Sequence, residues 1–135
     1  MTPRSSCPIN GTLELFGDRW SLLILRDMAF ARKTTFKGFE ASAEKIATNI
    51  LSDRLARLEA GGFVHKDRDP EDGRARRYRL TRKGASLIPV LSEMALWGET
   101  HLRDADTIPG LKDTMKGDRQ AAFSALIAQL DLADP

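Results

Sequence analysis

The chain of 135 residues is long enough for one domain with a buried core and leaves little room for a second. Its composition, 41% hydrophobic and 30% charged, is typical of a globular protein, and the absence of a signal-like or membrane-spanning apolar run predicts a cytoplasmic location away from membranes. The formal net charge is only +2, yet six basic residues and no acid lie between Arg74 and Lys83, a pattern that fits either a solvated strand face or a site for an anionic polymer.

Two helices are predicted before residue 31. Pro8 suits the first turn of a helix that ends at Gly17, and Asp18 can cap a second helix from Arg19 to about Phe30. This second helix is apolar over most of its circumference, so we expect it to form the buried centre of the domain, with Trp20 in the core.

A short and a longer helix follow, joined by a tight turn at residues 43–46. Thr35 can cap the short helix, Phe36 to about Ser42. On the longer helix, about Ala47 to Ala60, one apolar stripe comprises Ala47, Leu51, Leu55 and Leu58. The opposite face is small and polar and carries Asn49, Ser52, Asp53, Ala56 and Arg57. Such a helix is common on protein surfaces, but the arrangement is also typical of a helix-turn-helix motif, whose second helix enters the DNA major groove.

A β-hairpin is predicted next. Phe63–Arg68 and Ala75–Leu80 read as strands, and Asp72-Gly73 between them is a strong hairpin signal. Strand alternation places Tyr78 and Leu80 inward and Arg77 and Arg79 outward. A basic hairpin directly after a helix-turn-helix is typical of a wing.

The remaining chain is predicted to be helical at both of its ends. Thr81 can cap a long helix from Arg82 to about Leu102, in which Pro89 should produce a kink or a break. Residues 103–117 read as a loop, and Asp118 can cap a last helix whose apolar face contains Phe123, Leu126, Ile127 and Leu130. The terminal helices are more apolar than a small domain needs, which fits either a dimer interface or intramolecular packing.

Five segments, taken in order, resemble the HxlR-type bacterial transcription regulators. They are Cys7-Pro8, GDRWSLLILRD at 17–27, ATNILSDRLARLEAGGFV at 47–64, YRLTRKG at 78–84 and LWGETH at 96–101. Each segment alone is weak evidence, but their joint order and spacing are specific. The resemblance implies a mainly α fold with a small β-hairpin wing (α+β), related to the MarR group, with N- and C-terminal dimerisation helices.

The resemblance also implies a function and its boundaries. Residues 7–102 would form the winged helix-turn-helix domain, and residues 103–135 a C-terminal extension with a short amphipathic helix. A homodimer would bind a pseudo-palindromic operator in double-stranded DNA, with the recognition helix at Thr48–Ala60 in the major groove and the wing at Asp69–Arg77 on the backbone or minor groove. The family often has a capping serine where this chain has Ala47, so we expect Thr48 to cap the helix instead.

The candidate DNA-binding residues are Thr48, Asn49, Ser52, Asp53, Arg57, Arg74, Arg76, Arg77 and Lys37. Asn and Arg side chains bond bidentately to adenine and guanine, which suits Asn49 and Arg57, whereas Ser52 fits a base or a phosphate equally well. Thr48 at the helix N-terminus suits a phosphate.

The other candidates have supporting or backbone roles. Asp53 could hold Arg57, four residues on, in one rotamer. For the three wing arginines we expect phosphate contacts, with minor-groove insertion of Arg74 or Arg76 as the alternative. Lys37, with Lys33, could also reach the backbone, whereas Arg54 suits an ion pair or a phosphate.

Cys7 is the candidate sensor residue. In some members of the family a cysteine before the first helix responds to oxidants or electrophiles, and a thiol beside a helix N-terminus and Arg4 would be reactive; an inert thiol is the alternative. Cys7 as an enzyme nucleophile needs a base, and neither His65 nor His101 is placed to serve, so no enzyme is predicted.

No metal or organic cofactor is predicted either, since the two histidines are far apart in sequence. Trp20, Trp97 and Tyr78 could line a pocket for an unknown small-molecule effector, but core packing is the simpler interpretation. The alternative function is a winged-helix module that contacts proteins without binding DNA.

Overall fold

The computed structural model describes residues 2–133, in which helices surround one antiparallel hairpin. In chain order the elements are α1 (Pro8–Phe16), α2 (Ser21–Ala29), α3 (Phe36–Glu40), α4 (Thr48–Ala60), β1 (Val64–Arg68), β2 (Arg76–Leu80), α5 (Arg82–Ala85), α6 (Ile88–His101), α7 (Leu111–Lys116) and α8 (Arg119–Ala128). The predicted architecture, mainly α with a small β-hairpin, is confirmed.

The centre of the domain is α2, as predicted, although the helix starts later than expected. The Asp18 carboxylate accepts hydrogen bonds from the backbone amides of Trp20 and Ser21, both at 3.0 Å, and α2 begins at Ser21. Ile24 and Leu25 are buried in the core. The prediction that Trp20 is a core residue is wrong, because it precedes the helix and its side chain is only half-buried.

An ion-pair network ties the turn between α3 and α4 to α2. Arg26 donates to both Glu44 carboxylate oxygens, at 2.7 and 2.9 Å. This bidentate hydrogen bonding lowers the pKa of Glu44 to about 2 despite its partial burial. On α3, Thr35 caps as predicted and accepts from the Gly38 amide at 3.0 Å. The helix-turn-helix geometry is therefore fixed by charge-assisted bonds to the central helix.

The longer helix has the predicted range but not the predicted cap. Ala47 is the N-cap of α4 and makes no side-chain capping bond, and Thr48 is the first helical residue. The expectation that Thr48 caps the helix is therefore wrong. The stripe of Leu51, Leu55 and Leu58 is buried, with Leu51 at 0% exposure. Three leucines on one face hold α4 against the core.

The hairpin strands pair in the register Val64–Leu80 to Arg68–Arg76, and each strand begins one residue later than predicted. Tyr78 and Leu80 are buried, as the alternation predicted. Behind the hairpin, a Cβ added at Gly84 would lie 2.0 Å from the carbonyl oxygen of Phe63. This position therefore accepts only glycine while the hairpin keeps its place against α5.

The C-terminal part differs from the prediction in two respects. The long helix is broken between α5 and α6, and Pro89 lies in the first turn of α6, where it costs no hydrogen bond. The predicted loop at 103–117 contains α7, because Leu111 and Met115, four residues apart, are both buried. The last helix, capped by Asp118, is confirmed, and Phe123 joins the core.

Candidate nucleic-acid interface

The polar face of α4 points to solvent, as predicted. Asn49, Ser52, Asp53 and Arg57 are all exposed, on the side opposite the three buried leucines. A helix held by one face, with amide, hydroxyl and guanidinium groups on the other, has the donors and acceptors that read base edges in a major groove.

Arg54 is a structural residue. Its Nε donates to Asp18 Oδ2 at 2.9 Å, so the loop before α2 is joined to the middle of α4. Burial raises the pKa of Asp18, but hydrogen bonds from the Ser21 hydroxyl, the Trp20 amide and Arg54 outweigh it and bring the pKa down to about 2. Of the two roles considered for Arg54, the ion pair is the one observed.

The lowered pKa of Asp18 makes stability depend on pH. Because the folded-state pKa lies below the unfolded value, the contribution is complete above about pH 4 and is lost as pH falls towards 2. We expect Asp18→Asn to lower the free energy of unfolding at pH 7 by about 1–2 kcal/mol, with the deficit shrinking below pH 4. Urea unfolding at several pH values measures this. Asp104→Asn, at an exposed acid, is the matched control, and an equal deficit in both variants would contradict the assignment.

The predicted ion pair between Asp53 and Arg57, four residues apart, is present but long. Asp53 forms its hydrogen bond with Arg54, and its closest approach to Arg57 Nη1 is 3.9 Å. At this separation the two groups form no hydrogen bond and interact only through their charges. The Arg57 side chain is 56% exposed, so its guanidinium can meet a ligand.

The residues at the start of the motif differ in availability. Lys37 is exposed on α3. The Thr48 hydroxyl donates to Glu40 Oε2 at 3.2 Å, which links α4 to α3. Lys33 is engaged internally, because its Nζ donates to the Ser42 hydroxyl at 2.7 Å. Of the two lysines, Lys37 is thus the one whose ammonium group is exposed and can contact a ligand.

The wing tip presents two cations. Arg74 and Arg76 are exposed and form no ion pair with any residue in the 2–133 range. Local bonds shape the loop, since the amides of Glu71 and Arg74 donate to the Asp69 and Asp72 side chains at 2.8 and 3.1 Å. Such Asx-type turns hold the tip without using the arginine side chains.

Arg77 and Arg79 face outward, as the strand alternation predicted, but both are held in ion pairs within the chain. They do lie on the strand face opposite Tyr78, but Asp67, the cross-strand partner of Arg77, contacts both at 2.9 Å. The hydrogen bond from Arg77 lowers the pKa of Asp67, although partial burial opposes it. Asp131, from beyond α8, reaches Arg79 Nη1 at 3.2 Å. Both arginines are therefore neutralised within the chain.

Neither carboxylate partner was found from the sequence. Asp67 was detectable, because pairing the predicted strands through the Asp72-Gly73 turn places it near Arg77. The contact of Asp131 with Arg79 could not be predicted from the sequence, because it depends on where the last helix ends in space.

Large apolar side chains are exposed on α1 and α6. They are Ile9, Leu13, Leu15, Val90, Met94, Trp97 and, at the end of α6, Leu102. The prediction that Trp97 packs in the core is wrong, since this residue is 60% exposed. The same prediction for Tyr78 is confirmed, because it is buried in the core. Large apolar side chains concentrated on two helices are typical of a protein–protein interface.

Cys7 is exposed and is the N-cap residue of α1. Arg4 was expected to assist the thiol, but its guanidinium donates to Glu14 and Asn10, both at 2.8 Å. Accessibility and the helix terminus therefore remain as the features that favour reactivity at this thiol.

Within the described part of the chain, no group of three His, Cys, Asp or Glu side chains is placed to hold a metal ion. No helix there is both long enough and apolar enough to span a bilayer.

Comparison with known proteins gives consistent matches. Residues 15–106 match the family described as HxlR-like helix-turn-helix. The HTH-type transcriptional regulator BH0655 of Halalkalibacterium halodurans is 33% identical over 91 residues, covering 67% of this chain and 80% of the relative. The HTH-type transcriptional regulator YodB of Bacillus subtilis is 31% identical over 103 residues, covering 76% and 91%.

A solved structure agrees. The redox regulator HypR in its oxidised form is 31% identical, with a TM-score of 0.64, and the match covers 73% of this chain and all of that one, 100%. The predicted winged helix-turn-helix class and the predicted resemblance are thereby confirmed.

Proposed function

Because this chain belongs to the HxlR-like helix-turn-helix family of transcriptional regulators, we propose that it binds a pseudo-palindromic DNA operator as a homodimer. A DNA-binding regulator of this family is not an enzyme. The observation that carries the proposal is the exposed polar face of α4, held outward by Leu51, Leu55 and Leu58. We place its action in the cytoplasm, where bacterial DNA lies.

In this proposal α4 lies in the major groove. Asn49 and Arg57 read base edges, because their side chains are exposed and offer bidentate hydrogen bonding to adenine and guanine. Ser52 contacts a base or a phosphate. Lys37 and the N-terminus of α4 at Thr48 contact the backbone, since a lysine ammonium and free helix amides both attract phosphate.

The wing lies beside the groove that α4 enters. Arg74 and Arg76 contact phosphates, with minor-groove insertion as the alternative, because both are exposed and unpaired among residues 2–133. Arg77 contributes by holding the wing in shape through Asp67, and Asp53 by holding Arg54.

The dimer forms through α1 and α6. Their exposed apolar side chains would lose contact with water when two copies meet, which favours association at about 25 cal/mol per Å². The DNA-binding and dimerisation unit is then residues 7–102, and residues 103–135 are a C-terminal extension, of which the described part, to residue 133, packs on it.

The operator contact is tested with the DNA upstream of the protein's own gene, in a gel-shift titrated with salt. If about six phosphates are neutralised per dimer, the logarithm of the binding constant falls with the logarithm of salt at a slope near −5. Replacing Arg74 and Arg76 with Ala should make the slope shallower by about 3.6 per dimer, since four cations are lost. A folded protein that gives no specific band at moderate salt would favour the protein-contact module instead.

We propose Cys7 as a thiol sensor of this regulator. HypR and YodB structures in oxidised, reduced or quinone-bound forms are among the similar proteins, and Cys7 is the exposed thiol at the start of α1. The Cys7 thiolate attacks one sulfur of oxidised glutathione, whose S–S bond breaks. A mixed disulfide between Cys7 and glutathione forms, and the other glutathione leaves as a thiolate. Modification beside an α1 interface should then disturb the dimer.

The sensor is tested with Cys7→Ser as the control. Glutathionylation, followed by mass spectrometry, should lower operator affinity about tenfold in the wild type and leave the serine variant unchanged. If fully modified wild type binds the operator normally, Cys7 is an inert thiol.

A further inference from the structure

The chain after α8 returns to the wing and runs beside the open edge of β2. The Ala133 amide donates to the Leu80 carbonyl at 2.8 Å, and Ala133 forms a parallel bridge with Thr81. Arg32 donates to the Gln129 side chain at 2.6 Å. Residues 129–133 are thereby held at both ends across a gap between α2 and β2.

A cavity of about 290 Å³ lies in this gap. Met28, Leu130 and Leu132 supply apolar wall, and the guanidinium-bearing residues Arg32, Arg77 and Arg79 supply charge. The volume is at the lower end of the ~300–1,000 Å³ range of ligand pockets, which suits a single-ring molecule. An apolar wall opposite fixed cations suits a ligand that is apolar at one end and anionic at the other.

The two carboxylates that face these arginines are not equivalent. Asp67 contacts Arg77 and Arg79 at 2.9 Å and is itself only 25% exposed. Asp131 contacts them at 3.9 and 3.2 Å and is 77% exposed, at the end of a short C-terminal segment. Asp67 is therefore the stable partner of the two arginines. Asp131 is held by longer contacts, so its carboxylate can be displaced into solvent.

One of the cations also retains unused hydrogen-bonding capacity. Arg79 is 16% exposed, and its Nε is buried with no hydrogen-bond partner among residues 2–133. With Lys33 and Asp69 included, the cavity lining carries four basic and two acidic side chains. Once Asp131 is displaced, the excess of positive charge rises further, so an anion is favoured.

We propose that this cavity is a binding site for a small organic carboxylate with a single ring or a short alkyl body. The ligand carboxylate replaces Asp131 on Arg77 and Arg79, and its apolar body contacts Met28, Leu130 and Leu132. The C-terminal segment that closes the site, residues 129–132, lies beyond residues 15–106, which match the family, whereas the arginines lie within them. It does not depend on DNA binding, because binding is measured with the protein alone.

The test is isothermal titration of the full chain with phenylacetate and its neutral isostere phenylacetamide. We expect phenylacetate to bind and phenylacetamide to bind at least tenfold more weakly. Asp131→Asn should tighten phenylacetate binding about two- to fivefold, because the competing charge is removed. Arg77→Gln should weaken it about 10- to 100-fold, and Lys112→Gln, on exposed α7 surface, should leave it unchanged.

Three results would overturn the proposal. Equal binding of the acid and the amide would exclude an anion site, and unchanged phenylacetate affinity in Asp131→Asn would exclude competition with that carboxylate. Absence of binding to both the wild type and Asp131→Asn would also refute it, and this reading does not require the Arg77 variant to fold.

Discussion

Replacing both Asn49 and Arg57 with alanine is expected to weaken operator binding by at least ~30-fold, since each bidentate base contact contributes about 1–3 kcal/mol of discrimination. Both side chains are exposed on α4 and contribute nothing to the leucine stripe, so the variant should keep its unfolding midpoint. Fluorescence anisotropy with the operator and with a scrambled duplex of equal length measures the effect. The loss should be larger on the operator, because base contacts carry sequence information and phosphate contacts do not.

The matched control for this double variant is Lys112→Ala, which removes a positive charge from the exposed surface of α7. It should change affinity for both duplexes by less than twofold at moderate salt, because distant exposed charges are screened. An equal loss on operator and scrambled DNA in the double variant would show that Asn49 and Arg57 contact phosphates only. Unchanged operator binding would remove α4 from the interface.

The second large effect concerns the apolar surface of α1 and α6. Leu13→Glu together with Trp97→Glu should convert the proposed dimer to a monomer, because two charges from each copy would have to be buried between the copies. Operator affinity should fall by about 100-fold or more, since two half-sites are then no longer bound together. Size-exclusion chromatography with light scattering gives the mass, and anisotropy gives the affinity.

Both replaced side chains are more than half exposed in the single chain, so the monomer should fold, and circular dichroism checks this. Ser124→Glu on exposed α8 surface is the matched control and should remain dimeric with full operator affinity. If the double variant stays dimeric and binds normally, the interface lies elsewhere on the molecule.

Local patterns predicted most of the DNA-facing elements. The leucine spacing fixed both the range and the outward face of α4, because burial of one stripe leaves the opposite residues in water. Asp72-Gly73 located the hairpin, and Pro89 located the break before α6. In each case the determining interactions are made by residues close in sequence.

The errors share a different cause. Strand alternation placed Arg77 and Arg79 outward but could not reveal their partner Asp131, which arrives from about fifty residues further along the chain. Trp97 was assigned to the core because it is large and apolar. A large apolar residue at an interface between two copies looks the same in the sequence, and Trp97 is exposed in the single chain. Contacts at long sequence separation, or between chains, lie outside what periodicity reports.

The separation of the two faces of α4 also bears on how such regulators diversify. Its attachment relies on Leu51, Leu55, Leu58 and the Arg54–Asp18 pair, none of which faces the proposed groove. Substitutions at Asn49, Ser52 and Arg57 can therefore accumulate without loss of stability. Gene duplication followed by drift at these three positions would generate new operator preferences on an unaltered scaffold.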